Sequence, residues 1–115
     1  MTASVLSGDL RATTFSAVYA SLAVLGTAIT VHYDVDFDWC EPGAVDITFE
    51  SSTSLGGHGL DYVVRGTIDG QLDMAIARVR RIAEALDSQG IAYRFELDHD
   101  DGETVAIQSR AFPCY

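Results

Sequence analysis

The stretch Thr30–Cys40, TVHYDVDFDWC, decides how this chain is read. Val31, Tyr33, Val35, Phe37 and Trp39 alternate with Thr30, His32, Asp34, Asp36 and Asp38. A period of two is the pattern of a strand with one apolar face and one wet face. The stretch therefore predicts one strand over about 28–39, with a row of three aspartates on its wet face.

Working outward, Cys40-Glu41-Pro42-Gly43 has turn composition, since proline presets φ and glycine accepts the left-handed position. Val45, Ile47 and Phe49 then alternate with Asp46, Thr48 and Glu50, so the two runs read as a hairpin. Matching apolar to apolar across a Glu41-Pro42-Gly43 loop sets Trp39 opposite Val45 and Phe37 opposite Ile47. It also opposes Asp38 to Asp46 and Asp34 to Glu50, and like charges so placed destabilise a ladder by a few tenths of a kcal/mol to about one. Along the strand the aspartates repeat every ~6.7 Å. Five carboxylates on two strands are tolerable when wet, ion-bound or faced by arginine; a register shifted by two residues separates the opposed pairs.

Further on, residues 51–60 (SSTSLGGHGL) have loop composition, and Asp61 to Ile68 reads as a third strand. Leu72, Ile76, Val79, Ala83 and Leu86 recur at helical spacing, with Asp69 as the expected N-cap and Gly90 as the C-terminal stop. Arg78, Arg80 and Arg81 are expected on a solvated helix face. The chain closes in a hairpin, Ile91–Leu97 against Val105 and Ile107. A three-residue loop, Asp100 to Gly102, matches its faces by setting Leu97 opposite Val105 and Phe95 opposite Ile107.

Upstream of the aspartate row, Phe15, Val18, Tyr19, Leu22, Leu25 and Ile29 describe one helix face, ended by Gly26. Residues 1–10 read as a short polar, flexible arm. The expected order is α-β-β-β-α-β-β: a single two-layer α+β domain over 1–115, with a mainly antiparallel sheet and two helices on one face.

The 115 residues carry 17 acidic and 7 basic side chains, a net charge of −10, and every basic one is arginine. That balance argues against direct nucleic-acid binding, which rests on phosphate neutralisation. It points to a protein partner with a basic surface, or to an acid-rich proteome. The run 13–31 is too diluted by Thr, Ser, Gly and Ala for a membrane span, and no signal peptide is recognised. A cytoplasmic protein is expected, with Cys40 and Cys114 as reduced thiols.

Three function classes follow. The first is a binding module whose acidic sheet face (Asp34, Asp36, Asp38, Asp46 and Glu50) docks a basic protein surface, as inhibitors, immunity proteins and DNA-mimicking proteins do. Arg65 and Arg94, on wet faces of other strands, are expected to neutralise part of that row. The second is a divalent-metal site on the same carboxylates with His32. Asp34-x-Asp36-x-Asp38 departs from a calcium loop, however, because Trp39 and Val45 stand where glycine and a bidentate acid are needed. The third is a small enzyme. No hydrolase, metalloprotease or nucleotide motif occurs, and His32, His58 and His99 are isolated in sequence. No cofactor is expected.

Overall fold

The computed structural model describes residues 2–12, 15–25, 28–32, 36–52 and 60–109. The order is β1 (Ala3–Ala12), α1 (Phe15–Ala23), β2 (Ala28–His32), β3 (Asp36–Glu41), β4 (Val45–Ser52), β5 (Leu60–Asp69), α2 (Leu72–Ser88), β6 (Ala92–His99) and β7 (Thr104–Gln108). The strands form one sheet in the order β2-β3-β4-β5-β1-β6-β7, and every neighbouring pair is antiparallel.

The first correction concerns the amino terminus. Most of the arm expected over 1–10 belongs instead to the strand β1, Ala3–Ala12, paired with β5 on one side and β6 on the other. Leu6 and Leu10 point into the core and are fully buried, while Asp9 and Arg11 alternate with them. Gly8 sits between the two leucines on the same face. A Cβ there would run into the Arg94 carbonyl and lie 2.9 Å from the Phe95 ring, so the gap in the apolar pattern is the space the aromatic ring fills. Strand β1 also separates β5 from β6. These two run parallel to each other, and α2 carries the chain between them; α1 makes the corresponding crossing from β1 to the edge strand β2.

The second correction is the aspartate row. The alternation over 28–39 is not one strand. It folds into a hairpin, with Val31 opposite Phe37 and His32 opposite Asp36. Tyr33, Asp34 and Val35 lie outside the described residues. Ile29, read above as part of the first helix, lies on β2 opposite Trp39.

One face of the sheet is dry. Phe37, Trp39, Ile47, Phe49, Tyr62, Val64, Tyr93, Phe95 and Leu97 join Val18 and Leu22 of α1 and Val79, Ile82 and Leu86 of α2 in a single buried cluster. The Phe37 and Phe49 rings stack at 4.6 Å, and Phe15 and Tyr62 meet Phe37 near-perpendicularly at 5.8 and 5.9 Å. Such offset and edge contacts add to what burial alone contributes. The structure is thus a two-layer α+β arrangement with both helices on one side of an antiparallel sheet.

Helix α2 starts at Leu72 with Gln71 at its N-cap position, and Gln71 makes no side-chain capping bond. Asp69 is the last residue of β5, and its N–H donates to Ala44. At the other end Gly90 has φ +70, with N–H bonds from Gly90 to Asp87 and from Ile91 to Leu86. This is the six-to-one, five-to-two pattern of a Schellman stop, which the glycine spacing predicts. Arg78 is not simply solvated: it forms an ion pair with Glu41 at the end of β3, tying α2 to the sheet.

Candidate functional site: the open sheet face

Because side chains alternate and the helices take one face, the other face is open to solvent. Cross-strand register places its residues in rows. One row runs Cys40, Asp46, Thr67, Val5, Asp98 and Thr104; the next runs Thr30, Asp38, Thr48, Arg65, Ser7, Glu96 and Ala106. In a third, His32 faces Asp36 on one flank, while Glu50, Val63, Asp9, Arg94 and Gln108 follow one another across the other strands.

The first hairpin adopts the register shifted by two residues from the expected one. Glu41 faces Val45, Trp39 faces Ile47 and Phe37 faces Phe49, across Pro42-Gly43-Ala44. Asp38 therefore faces Thr48 rather than Asp46, and Asp46 faces Cys40. Stacking Phe37 on Phe49 keeps apolar on apolar, and the same shift removes an opposed carboxylate pair. Asp34 is outside the described residues, so its expected opposition to Glu50 is not seen. The closing hairpin has the expected register, Leu97 to Val105 and Phe95 to Ile107, with Gly102 at φ +99.

Three of the acids are held in place by local donors. Asp36 Oδ1 accepts from the Ser51 N–H (2.8 Å) and hydroxyl (2.6 Å). These two bonds, the hydroxyl's above all, hold the Asp36 carboxyl below its usual range. Asp38 Oδ1 accepts from Thr48 Oγ1 at 2.9 Å, and its Oδ2 lies 2.9 Å from His32 Nε2. Asp46 Oδ1 accepts from the Cys40 thiol at 3.7 Å. Burial, followed by the Asp46 charge, pushes that thiol up, so Cys40 is a thiol donor and not a poised thiolate. Glu50 is exposed. The acids at the β3–β4 end thus form a pre-set constellation rather than a loose brush.

Among the described residues the expected neutralisation by arginine is not seen: neither Arg65 nor Arg94 forms an ion pair with a carboxylate. Both line a shallow trough of about 460 Å³ over β5, β1 and β6, together with Val5, Ser7, Asp9 and Glu96. The open face is therefore divided: mixed charge at the centre, acid alone at the β3–β4 end. Sequence reasoning missed Asp9 and Arg11, because β1 read as an arm; the alternation of Leu6 and Leu10 with Ser7 and Asp9 is the signal that places them.

It also missed a buried cluster on the dry face. Ser4 Oγ lies 2.8 Å from His99 Nδ1, and His99 Nε2 lies 3.2 Å from Asp100 Oδ1. Carboxylate and hydroxyl flank the ring as in a hydrolase triad. Ser4 is only 1 % exposed and His99 8 %, however, so the hydroxyl offers no approach to a substrate. The cluster clasps β1 to the β6–β7 turn, alongside the Asp100 N–H bond to the Ala3 carbonyl. With the ring proton on Nε2, Nδ1 accepts from the Ser4 hydroxyl and Nε2 faces the Asp100 carboxylate. Replacing Ser4 by alanine leaves that acceptor buried and unmatched. Ser4→Ala is expected to lower stability by about 1–3 kcal/mol, read as a fall in the urea midpoint at unchanged slope.

Among the described residues no three His, Cys, Asp or Glu side chains converge as metal ligands: Asp36 and Asp38 are spread along a strand, and His32 reaches only Asp38. Nor is any helix of these residues long and apolar enough to cross a membrane. What fold and site define is an antiparallel α+β protein with one helix-covered and one open, acid-biased sheet face. No family model, curated protein or solved structure matches the chain.

Proposed function

We propose that this is a cytoplasmic binding module of the inhibitor or immunity type, whose open sheet face docks a basic surface of another protein. The observation that supports it most is the fixed carboxylate group at the β3–β4 end, unanswered by either sheet arginine. Asp36 and Asp38 are ordered by Ser51, Thr48 and His32, and Asp46 and Glu50 project beside them. Ordered charges bind with less loss of side-chain freedom than mobile ones, and a one-signed patch speeds encounter with an oppositely charged partner. The offset of the two strands brings acids from both into one patch, as a surface imitating a phosphate backbone requires.

The experiment is affinity capture from the native host, or from an organism it opposes, followed by binding measurements with the captured protein. Asp46→Lys/Glu50→Lys alters two exposed positions outside the core. It is expected to weaken association at least tenfold, chiefly through the on-rate, and to flatten its dependence on salt. A variant that binds as the wild type does, with the same salt dependence, defeats the reading.

A further inference from the structure

The other unpartnered surface is the β2 edge of the sheet. Among the described residues no strand pairs with the outer side of Ala28–His32. Natural edges are guarded by lysine, proline, inward charges or bulges. This one has none of these: no Asp, Glu or Arg occurs anywhere between Arg11 and Asp34. The apolar side of the edge is also uncovered. Val31 is 44 % exposed opposite Phe37, and Tyr19 is 40 % exposed where its ring meets Phe15, which in turn meets Phe37. Val24, just past α1, is 78 % exposed. The opposite edge differs, because α2 packs on β7 and Val105 and Ile107 lie half-buried against the core.

We infer that β2 pairs with β2 of a second copy, antiparallel about Thr30, making one continuous sheet from two chains. The sequence of the strand selects this occupant. About Thr30, Ile29 faces Val31 of the other copy on the apolar side, Ala28 faces His32, and Thr30 faces itself on the open side. Parity is preserved, so no side chain changes face. Charge agrees. The nearest carboxylates of the two copies in the Thr30 row are the two Asp38 groups, three strand spacings or about 14 Å apart. That exceeds the screening length of about 8 Å at physiological salt, and each Asp38 is already held by His32 and Thr48. Two chains of net charge −10 repel over most of their surface; both edge strands lack charged side chains, and β2 is the one whose apolar side lies open. The two-fold axis of such a pair stands normal to the sheet, so both open faces lie on the same side. The pairing does not depend on what the open face binds.

Sedimentation velocity of the full chain at tens of micromolar is expected to give twice the monomer mass. Val31→Lys, which places the usual edge guard at an exposed position, is expected to raise the dissociation constant at least tenfold with an unchanged circular dichroism spectrum. With Cys40 and Cys114 replaced by serine, Thr30→Cys is expected to be joined into a dimer by a short bis-maleimide, and Ala106→Cys is not. A monomeric wild type overturns the inference. So does a dimer indifferent to Val31→Lys, or one joined through Ala106→Cys and not Thr30→Cys.

Discussion

Gly66→Ala is expected to lower the stability of the fold by about 3 kcal/mol, the upper end of what overpacking costs, and to move the urea midpoint well below that of the wild type. Gly66 lies on β5 between Leu6 of β1 and Ile47 of β4. A Cβ at this position runs into the Asp46 carbonyl, and stands 2.6 Å from the Ile47 Cα and 2.9 Å from its side chain. The first two are backbone atoms of a strand paired on its other side with β3, so β4 cannot retreat without breaking a second ladder. Flexible side-chain ends could move aside, but these atoms cannot. Gly8→Ala is the matching case on β1, where the obstruction is the Arg94 carbonyl and the Phe95 Cα at 3.0 Å. Gly43→Ala is the contrast. Nothing lies within 4 Å of its Cβ, and only the left-handed φ of +79 resists the change, a strain of about 1–2 kcal/mol. Since a domain of this size is stable by roughly 5–15 kcal/mol, the order Gly66 and Gly8 far below Gly43 should be plain in equilibrium unfolding with circular dichroism.

The same glycines show where sequence reading succeeds and where it stops. Strands β4, β5 and β6 and helix α2 are legible because each buries a full-sized apolar side chain at its own period. The β6–β7 register follows from apolar matching, which leaves one loop length. Strand β1 is not legible in this way. It is the strand flanked by both β5 and β6, yet its inward positions read Ser4, Leu6, Gly8 and Leu10, because neighbouring Phe95 takes the space over Gly8. Close packing there removes the signal that would announce a buried strand. The β2–β3 hairpin is hidden for a different reason. Residue 32 pairs with 36, leaving three residues between, and an odd connection keeps odd residues on the same face in both strands. Alternation therefore runs through the reversal unbroken, and a period of two cannot distinguish one long strand from two short ones. A three-residue connection also joins β3 to β4, where parity allows registers two residues apart. The choice between them falls to the stacking of Phe37 on Phe49 and the separation of Asp38 from Asp46. For Asp36, Asp38, Asp46 and Glu50 the face is readable and the neighbours are not, because neighbours depend on register.

Alkaline pH is expected to unfold the protein through two tyrosines. Tyr62 is fully buried, and burial, then the nearby Asp36 charge, pushes its phenol up to about 12. Tyr93 is also pushed up to about 12, by burial first and then by the bond its hydroxyl donates to Asp87 Oδ2 at 3.0 Å, with the charges of Asp87 and Glu84 adding to it. In both cases the folded state holds the proton more tightly than the unfolded chain, whose tyrosines titrate near 10. The stability tied to these protons is therefore fully present below pH 10 and is lost as pH rises through about 12. Each group then forfeits about 2–3 kcal/mol, so the pair together removes much of a typical domain's stability. Urea midpoints should hold between pH 7 and 9 and fall steeply above 10, and the share of the tyrosinate absorbance at 295 nm that Tyr62→Phe/Tyr93→Phe removes should rise with the loss of near-ultraviolet dichroism rather than before it. Tyr62→Phe and Tyr93→Phe should each reduce that slope by about half, whatever they do to stability at neutral pH. A midpoint equally steep in the double variant would mean that other groups drive the transition. The Asp87 link adds a finer discrimination. Asp87→Asn removes a charge that holds the phenol up, so it should shrink the Tyr93 contribution and end it at lower pH while leaving that of Tyr62 where it is. A local carboxylate raises only the phenol it faces, whereas a general loosening of the sheet would shift both.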